Sequence, residues 1–310
     1  MSGGVEDAGA WTIARLLGWT REFLQHRGIE SPRLCAEILL AHAMECERIR
    51  LYTRFDEVPG ESVRSTFREL VKRAATGYPI AYLTGTKEFF SLPFDVTPEV
   101  LIPRPETEIL VERTIALARQ ADRPIDTILD VGTGSGCIVV SLARHLPDVH
   151  RLAASDNAEA ALAVARHNAE RHGVAGRIVF RYGDLFAPWQ EPIPDVAESP
   201  RPFDVIVCNP PYIATSGAPV DANVRDFEPQ AALYAGPDGL DVIRRVASEA
   251  PGWLRAGGHL LMETAFDQGS AVRSLLAEAA WEDIVTYRDG AGHERVVHAR
   301  RSANDHVQVA

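Results

Sequence analysis

Residues Ile128 to Ala143 read ILDVGTGSGCIVVSLA. A strand-like apolar run enters three glycines, Gly132, Gly134 and Gly136, and leaves them as a second apolar run of helical character. Glycines here permit a tight turn and a close approach of backbone to ligand. In an open α/β sheet, ligands bind at the carboxyl ends of the strands. The loop Gly132, Thr133, Gly134, Ser135, Gly136 is therefore a predicted binding edge, and the stretch predicts a strand–loop–helix unit of an α/β fold. A strand-to-helix turn with purely structural glycines is the alternative reading.

Outward from this loop the same alternation repeats. Strand-like segments fall at residues 127–131, 150–155, 177–181, 204–208, 259–264, 283–288 and 295–300, with helical segments between most of them. Strands alternating with helices imply a mainly parallel sheet covered on both faces. The last two strands are joined only by DGAG, too short for a crossover helix, so that pair is expected to be antiparallel. The expected fold is a Rossmann-like, seven-stranded α/β sheet with a terminal antiparallel hairpin, which resembles the sheet of class I S-adenosylmethionine-dependent methyltransferases.

The rest of the chain reads differently. Residues 1–77 carry apolar residues at helical spacing, as at Leu34, Ile38 and Leu39, with Ser31-Pro32 as a helix start. They predict a small helical domain. Residues 78–105 mix aromatic and β-branched residues with prolines, which suits a β-hairpin and an extended linker. A helix is expected over Glu108 to Arg119, opening a domain of residues 106–301. Residues 187–202 and 214–226 read as loops, and 302–310 as a disordered tail.

Bulk properties narrow the function. The chain has 310 residues, so about two domains are expected, and its net charge is −11. Such a surface is repelled by duplex DNA unless a basic patch compensates. Arg64, Arg68, Lys72 and Arg73 recur at helical spacing and read as a solvated face. No apolar run approaches the roughly 20 residues needed to span a bilayer, and the amino terminus lacks a signal-peptide pattern. The four cysteines form no C-x-x-C pair, and the ten histidines show no ligand spacing. Free thiols in a reducing cytoplasm and no metal are the expectations.

Four motifs carry chemistry. In the first, the glycine loop, a dinucleotide fingerprint would need its third glycine one place later, where Cys137 stands. The G-x-G-x-G spacing after Asp130 fits S-adenosylmethionine better, since no pyrophosphate has to be seated at the helix terminus. Second, Asp156 ends the next strand, where a carboxylate can accept both ribose hydroxyls of a nucleoside; a plain N-cap at Asp156 or Asn157 is the alternative. Third, Asp184 follows the third strand in RYGDLF. It can accept from the exocyclic amine of adenine while Leu185 packs on the ring, or it is a turn aspartate.

The fourth motif is FDVIVCNPPYI, Phe203 to Ile213. Methyl transfer from a sulfonium to nitrogen is an in-line displacement. In an amide or an aromatic exocyclic amine the nitrogen lone pair is delocalised, so a site can help by accepting both N–H groups and aiming the nitrogen. Asn209 offers a side-chain oxygen and Pro210 a carbonyl. Pro210 and Pro211 lack N–H groups and fix φ, which holds that carbonyl rigidly. Tyr212 can stack on a planar acceptor. No strong base is required, and catalysis would be mostly positioning. NPPY alone could be a turn, and it leaves amide and adenine open as acceptors.

Together with YLTGTKEF (residues 82–89), LIPRPETE (101–108), FEPQAAL (227–233), GPDGL (236–240) and ERVV (294–297), these motifs resemble the HemK-type glutamine methyltransferases of peptide chain release factors. The resemblance spans residues 78–300 and implies S-adenosylmethionine as cofactor, with S-adenosylhomocysteine as product. It implies class 1 release factors as protein partners, the acceptor being the glutamine of their Gly-Gly-Gln loop, with no membrane and no direct nucleic-acid substrate. The helical domain and hairpin would dock the release factor. Asn209 and Pro210 would bind the amide and Tyr212 would pack on it; Gly132 to Gly136, Asp156, Asp184, Leu185 and Asn209 would line the cofactor site. LIPRPETE resembles this branch more than the sister family acting on a ribosomal-protein glutamine. Ala265 stands where the family has glycine, which requires a negative φ there. Other readings are an adenine-N6 nucleic-acid methyltransferase, which would have to flip its base, and a catalytically silent cofactor-binding scaffold.

Overall fold

Two strands without any hydrophobic alternation set the centre of the fold. These are TILDV, Thr127–Val131, and FDVIVC, Phe203–Cys208, in which every residue is buried. Strands covered on both faces read as unbroken apolar runs. The computed structural model describes residues 9–121, 123–190, 203–217 and 220–303. The chain forms two compact units.

The helical unit runs to Gly85 and takes in Asp221–Phe227. It holds α1 (Ile13–His26), α2 (Pro32–Ala43), α3 (Arg48–Tyr52), α4 (Glu61–Ala74) and α5 (Ile80–Thr84). Its core is Ile13, Leu24, Leu39, Leu40, Leu51, Phe67 and Val71. One charge sits inside it. Glu37 is buried against Arg33 at 2.9 Å, Arg48 at 3.3 Å and the Tyr52 hydroxyl, which satisfies a carboxylate that burial alone would penalise. Ser31 precedes α2 as the sequence suggests, yet with φ of 48° and no side-chain capping bond. Arg64 and Lys72 of α4 pair with Glu61 and Glu69 on the exposed face.

The sheet unit begins with a hairpin, β1 (Thr86–Phe89) and β2 (Leu92–Asp95), paired antiparallel. The hairpin is part of this unit, because Phe89 and Phe94 are buried in the sheet's core. The helical unit correspondingly extends past residue 77: α5 lies where the sequence suggested only hairpin and linker.

The main sheet contains β3 (Thr127–Val131), β4 (Arg151–Asp156), β5 (Ile178–Tyr182), β6 (Phe203–Cys208), β7 (Leu254–Glu263), β8 (Glu282–Arg288) and β9 (Glu294–Arg300). Its order is β5-β4-β3-β6-β7-β9-β8. β3 to β7 pair in parallel, and β9 pairs antiparallel with both β7 and β8. The expected seven-stranded sheet with a terminal antiparallel hairpin is borne out. α6 (Glu108–Gln120), α7 (Cys137–His145) and α8 (Glu159–Arg171) follow; after α9 (Ala222–Phe227), which clusters with the helical unit, come α10 (Asp241–Glu249) and α11 (Gly269–Glu278). One core joins α6, α7 and the hairpin to the sheet; the other joins α10 and α11 to it.

Buried polar groups fix the register. Asp204, at the start of β6, accepts from the Asp126 and Thr127 amides at 2.9 and 3.0 Å and pairs with Arg255 at 2.9 Å. Those bonds hold β3 level with β6, so their carboxyl ends emerge together. Of the two predicted loops, the first opens with a 3-10 turn, Ala187–Gln190, with Trp189 buried, and the second, 214–226, departs from the expectation in holding most of α9; residues 191–202 and 218–219 lie outside the described residues, as do 304–310 of the predicted 302–310 tail.

Candidate functional site

The carboxyl ends of β3, β4 and β6 open on one cavity of about 260 Å³. Gly132, Thr133, Gly134 and Ser135 line it with Asp156, Asp184, Leu185, Asn209, Pro210 and Pro211. These residues come from four separate stretches of the sequence. Among the predicted site residues, Gly136 and Tyr212 do not line it.

The glycine loop is shaped by its own backbone. Gly132, Gly134 and Gly136 have φ of 72°, 55° and 79°, a region that costs other residues energy. The Gly132 and Thr133 amides donate to the Ser155 carbonyl at 2.9 and 3.0 Å. Gly136 has a further reason to be glycine: a Cβ there would stand 3.1 Å from Ala165, so its small size lets the start of α7 approach α8. Behind the loop, Asp130 is fully buried and accepts from the Thr133 hydroxyl at 2.6 Å. Burial pushes its carboxyl up to about 7.

Asp156 faces the loop from β4. Its Oδ2 accepts from the Gly134 amide and its Oδ1 from the Ala158 amide, both at 2.9 Å. Each oxygen keeps a lone pair for a further donor. Burial raises this carboxyl too, against the opposing pull of those amides. Asp184 differs. Its side chain is exposed and pairs with Arg245 of α10 at 2.7 Å. Leu185 beside it sits at φ of 45°, and its carbonyl accepts from the Ser155 hydroxyl at 3.1 Å.

The NPPY corner is braced on three sides. Ile213 forms an isolated parallel bridge with Tyr234. Gln268 donates through Nε2 to the Tyr212 carbonyl at 3.0 Å. Gly239 packs so tightly that a Cβ would lie 2.3 Å from that same carbonyl, at φ of 75°. The GPDGL motif is thus a bed for the corner. Tyr212 is turned from the cavity, and its hydroxyl donates to Glu263 Oε1 at 3.3 Å. Glu263, at the end of β7, is buried and held at about 7, chiefly by that burial. Asn209 donates through Nδ2 to Thr107 Oγ1 at 3.1 Å.

Thr107, Glu263, Gln268 and Gly239 are site residues that reading single motifs did not identify. Thr107 is 102 positions from Asn209 in the chain. Its signal lay within LIPRPETE, whose 3-10 turn Pro105–Thr107 delivers it. The same segment is tied to FEPQAAL, since buried Glu228 accepts from the Ile102 amide at 3.1 Å and pairs with Arg104. Ala265 has no positive φ, and its amide donates to Gln268 Oε1 at 3.1 Å, so the departure from glycine is accommodated.

The residues fit S-adenosylmethionine. Asp156 presents two oxygens with spare lone pairs, which a ribose diol needs, and Leu185 gives an apolar surface for a purine. Acidic Asp156 and Asp184 line the cavity, and one oxygen each of buried Asp130 and Glu263 is left without a hydrogen bond.

Comparison with known proteins agrees. The PrmC N-terminal domain family matches residues 15–85, and the methyltransferase small domain family matches residues 107–240. A release factor glutamine methyltransferase from Rhodopirellula baltica is 43% identical over 297 residues, covering 94% of this chain and 97% of that one. Another from Geobacter sulfurreducens is 40% identical, again covering 94% and 97%. The hMettl16 catalytic domain, solved with an RNA hairpin of the MAT2A 3′UTR, superposes with a TM-score of 0.51 over 78% of this chain and 84% of that one at 17% identity, a likeness of fold alone. With relatives this similar over nearly its whole length, and with both families in their expected places, the chain belongs to the release factor glutamine methyltransferases.

Proposed function

We propose that this protein transfers a methyl group from S-adenosylmethionine to the side-chain amide nitrogen of the glutamine in the Gly-Gly-Gln motif of class 1 peptide chain release factors. One observation carries the reading: Asn209 and Pro210 line the same cavity as Gly132 to Ser135 and Asp156. The cofactor cradle and the acceptor-binding corner are therefore neighbours.

When bound, S-adenosylmethionine supplies an electrophilic methyl group on a sulfonium. Asp156 holds the ribose end through its two remaining lone pairs. Asn209 Oδ1 and the Pro210 carbonyl accept the two N–H groups of the acceptor amide, aiming its nitrogen and favouring a pyramidal geometry. The prolines keep that carbonyl from swinging away. Tyr212 serves to hold the corner through Gln268 and Glu263, in place of the covering role its ring suggested. No general base is needed, since the alkylated nitrogen is itself acidic. Most of the rate comes from orientation.

The helical unit and the β1–β2 hairpin are assigned to docking the release factor, and the protein to the cytoplasm, where its substrate is found. No described helix is long and apolar enough to cross a membrane, and Cys35, Cys46, Cys137 and Cys208 are all free. Purified protein, methyl-labelled S-adenosylmethionine and a class 1 release factor should yield one methyl group on that glutamine by peptide mass spectrometry. A release factor left unlabelled there would overturn the reading.

A further inference from the structure

An asparagine amide can face a site with its oxygen or with its nitrogen, and only the oxygen can accept an N–H. Around Asn209 the surroundings decide which. Its Nδ2 donates to Thr107 Oγ1 at 3.1 Å. Thr107 is 1% exposed, so water does not compete for its hydroxyl. The hydroxyl accepts from Asn209, and its own hydrogen is left to be placed. Glu263 neighbours Thr107, and its Oε2 is buried with no hydrogen bond, while its Oε1 is taken by the Tyr212 hydroxyl. One donor and one acceptor remain, side by side.

We propose that Thr107 and Glu263 are positioning residues that set the polarity of Asn209: the Glu263 carboxylate draws the Thr107 hydroxyl hydrogen, which obliges Thr107 Oγ1 to accept from Asn209 Nδ2 and presents Asn209 Oδ1 to the acceptor amide. The proposal rests on Asn209 being the acceptor-binding residue. A carboxylate can only accept, so an ionised Glu263 gives the chain of bonds one direction. A protonated Glu263 donates to Thr107, which then donates to the Asn209 oxygen. That reversal turns the Asn209 amino group toward the substrate, where it meets N–H groups it cannot bind.

The reversal is reachable near neutrality, because burial holds Glu263 at about 7. The charged neighbours are Glu106, which raises it, and Arg295, which lowers it. Tyr212 stays protonated, its hydroxyl pushed up by burial and by Glu263 itself. Cys137 and Cys208 stay protonated as well, the first pushed up to about 12 and the second well above the usual thiol range. Two carboxyls of this cluster titrate between pH 6 and 8, Glu263 and, behind the glycine loop, Asp130, which burial also holds at about 7; only Glu263 adjoins Thr107, and turnover should fall as its carboxylate protonates with pH dropping through about 7.

The test measures kcat and KM for release-factor methylation from pH 6 to 9, with cofactor affinity by calorimetry. Thr107→Val keeps the shape and removes the hydroxyl; kcat should fall about 10-fold or more, with cofactor Kd unchanged. Thr107→Ser should restore most of the rate. Asp130→Asn removes the other carboxyl held at about 7 and should keep the acid limb of the kcat profile, and adding Glu263→Gln, which cannot ionise, should remove it. A wild-type kcat in Thr107→Val overturns the proposal, as does Thr107→Ser being as slow as Thr107→Val, or an acid limb that is lost in Asp130→Asn alone or survives when Glu263→Gln is added to it. Asn209→Ala separates the two levels. If it is inactive while Thr107→Val is fully active, the relay fails and the function stands. If Asn209→Ala keeps the wild-type rate, the role of Asn209 fails and the relay with it.

Discussion

At the scale of single residues, the two acidic side chains expected to bind the cofactor are unequal. Asp156 is buried and fixed by two backbone amides; Asp184 is exposed and already engaged by Arg245. A preorganised carboxylate contributes more to binding than a solvated one. Asp156→Ala should weaken S-adenosylmethionine binding by about 10- to 100-fold, roughly 1.4–2.7 kcal/mol, and Asp184→Ala by less than about 5-fold. Calorimetric titration of both variants checks the ranking, and equal losses would contradict it. Gly239→Ala should impair turnover without touching any cofactor-lining residue, since its Cβ would collide with the Tyr212 carbonyl. The motif residues themselves were legible in the sequence, because each sits at a strand end where binding chemistry is expected. What surrounds them was not. Thr107 and Glu263 meet Asn209 and Tyr212 only after strands distant in sequence are laid side by side, and no local pattern encodes that.

At the scale of elements, four of the five parallel strands were legible to within a residue, because burial leaves largely unbroken apolar runs. β7 starts five positions earlier than the predicted 259. Gly257 and Gly258 hide its first half, and the pairing with β6 shifts register between Phe203 and Val205. α5 was missed because five residues flanked by Pro79 and the left-handed Gly85 are too few for helical periodicity to show. One buried side chain joins three elements here. Asn168 of α8 accepts from the Asp95 amide at 2.8 Å and donates to the Asp95 and Ser135 carbonyls, each at 2.9 Å. It ties the hairpin and the glycine loop to one helix. Asn168→Ala would leave a buried donor and two carbonyls short of partners, and should cost about 2–4 kcal/mol. Chemical denaturation measures the loss; a change below about 1 kcal/mol would mean that the hairpin is held by Phe89, Phe94 and the contacts that Glu108, His167, Arg171 and His172 make with it.

At the scale of the whole molecule, the site's electrostatics set how stability follows pH. Asp130 and Glu263 are each raised to about 7 by burial, above the ordinary range they return to on unfolding. Between about pH 4.5 and 7 the folded protein therefore holds two protons that the unfolded chain has released. His298 acts the other way: burial and its neighbour His259 lower it to about 4, so in the same window the unfolded chain binds a proton that the folded state refuses. His259 is lowered in the same direction, chiefly by burial, so the two carboxyl protons are opposed by two histidines; the folded state keeps at most about one extra proton, and stability should rise as pH falls from 7 to about 5 by no more than roughly 1.4 kcal/mol per unit. Below about pH 4 the trend reverses. Asp238 and Asp289 are held near 2 by Arg244 and Arg295, and their stabilisation is lost as they protonate. Thermal melting of the ligand-free protein should give a higher Tm at pH 5.5 than at 7.5. The double variant Asp130→Asn, Glu263→Gln removes both titrating carboxyls and leaves His298, so its Tm should fall over the same interval. A wild-type Tm that falls as steeply as that of the double variant on acidification from 7.5 to 5.5 would show that these carboxyls are ionised in the folded state. A cationic cofactor would then meet a site already charged to receive it, and its binding would release no protons.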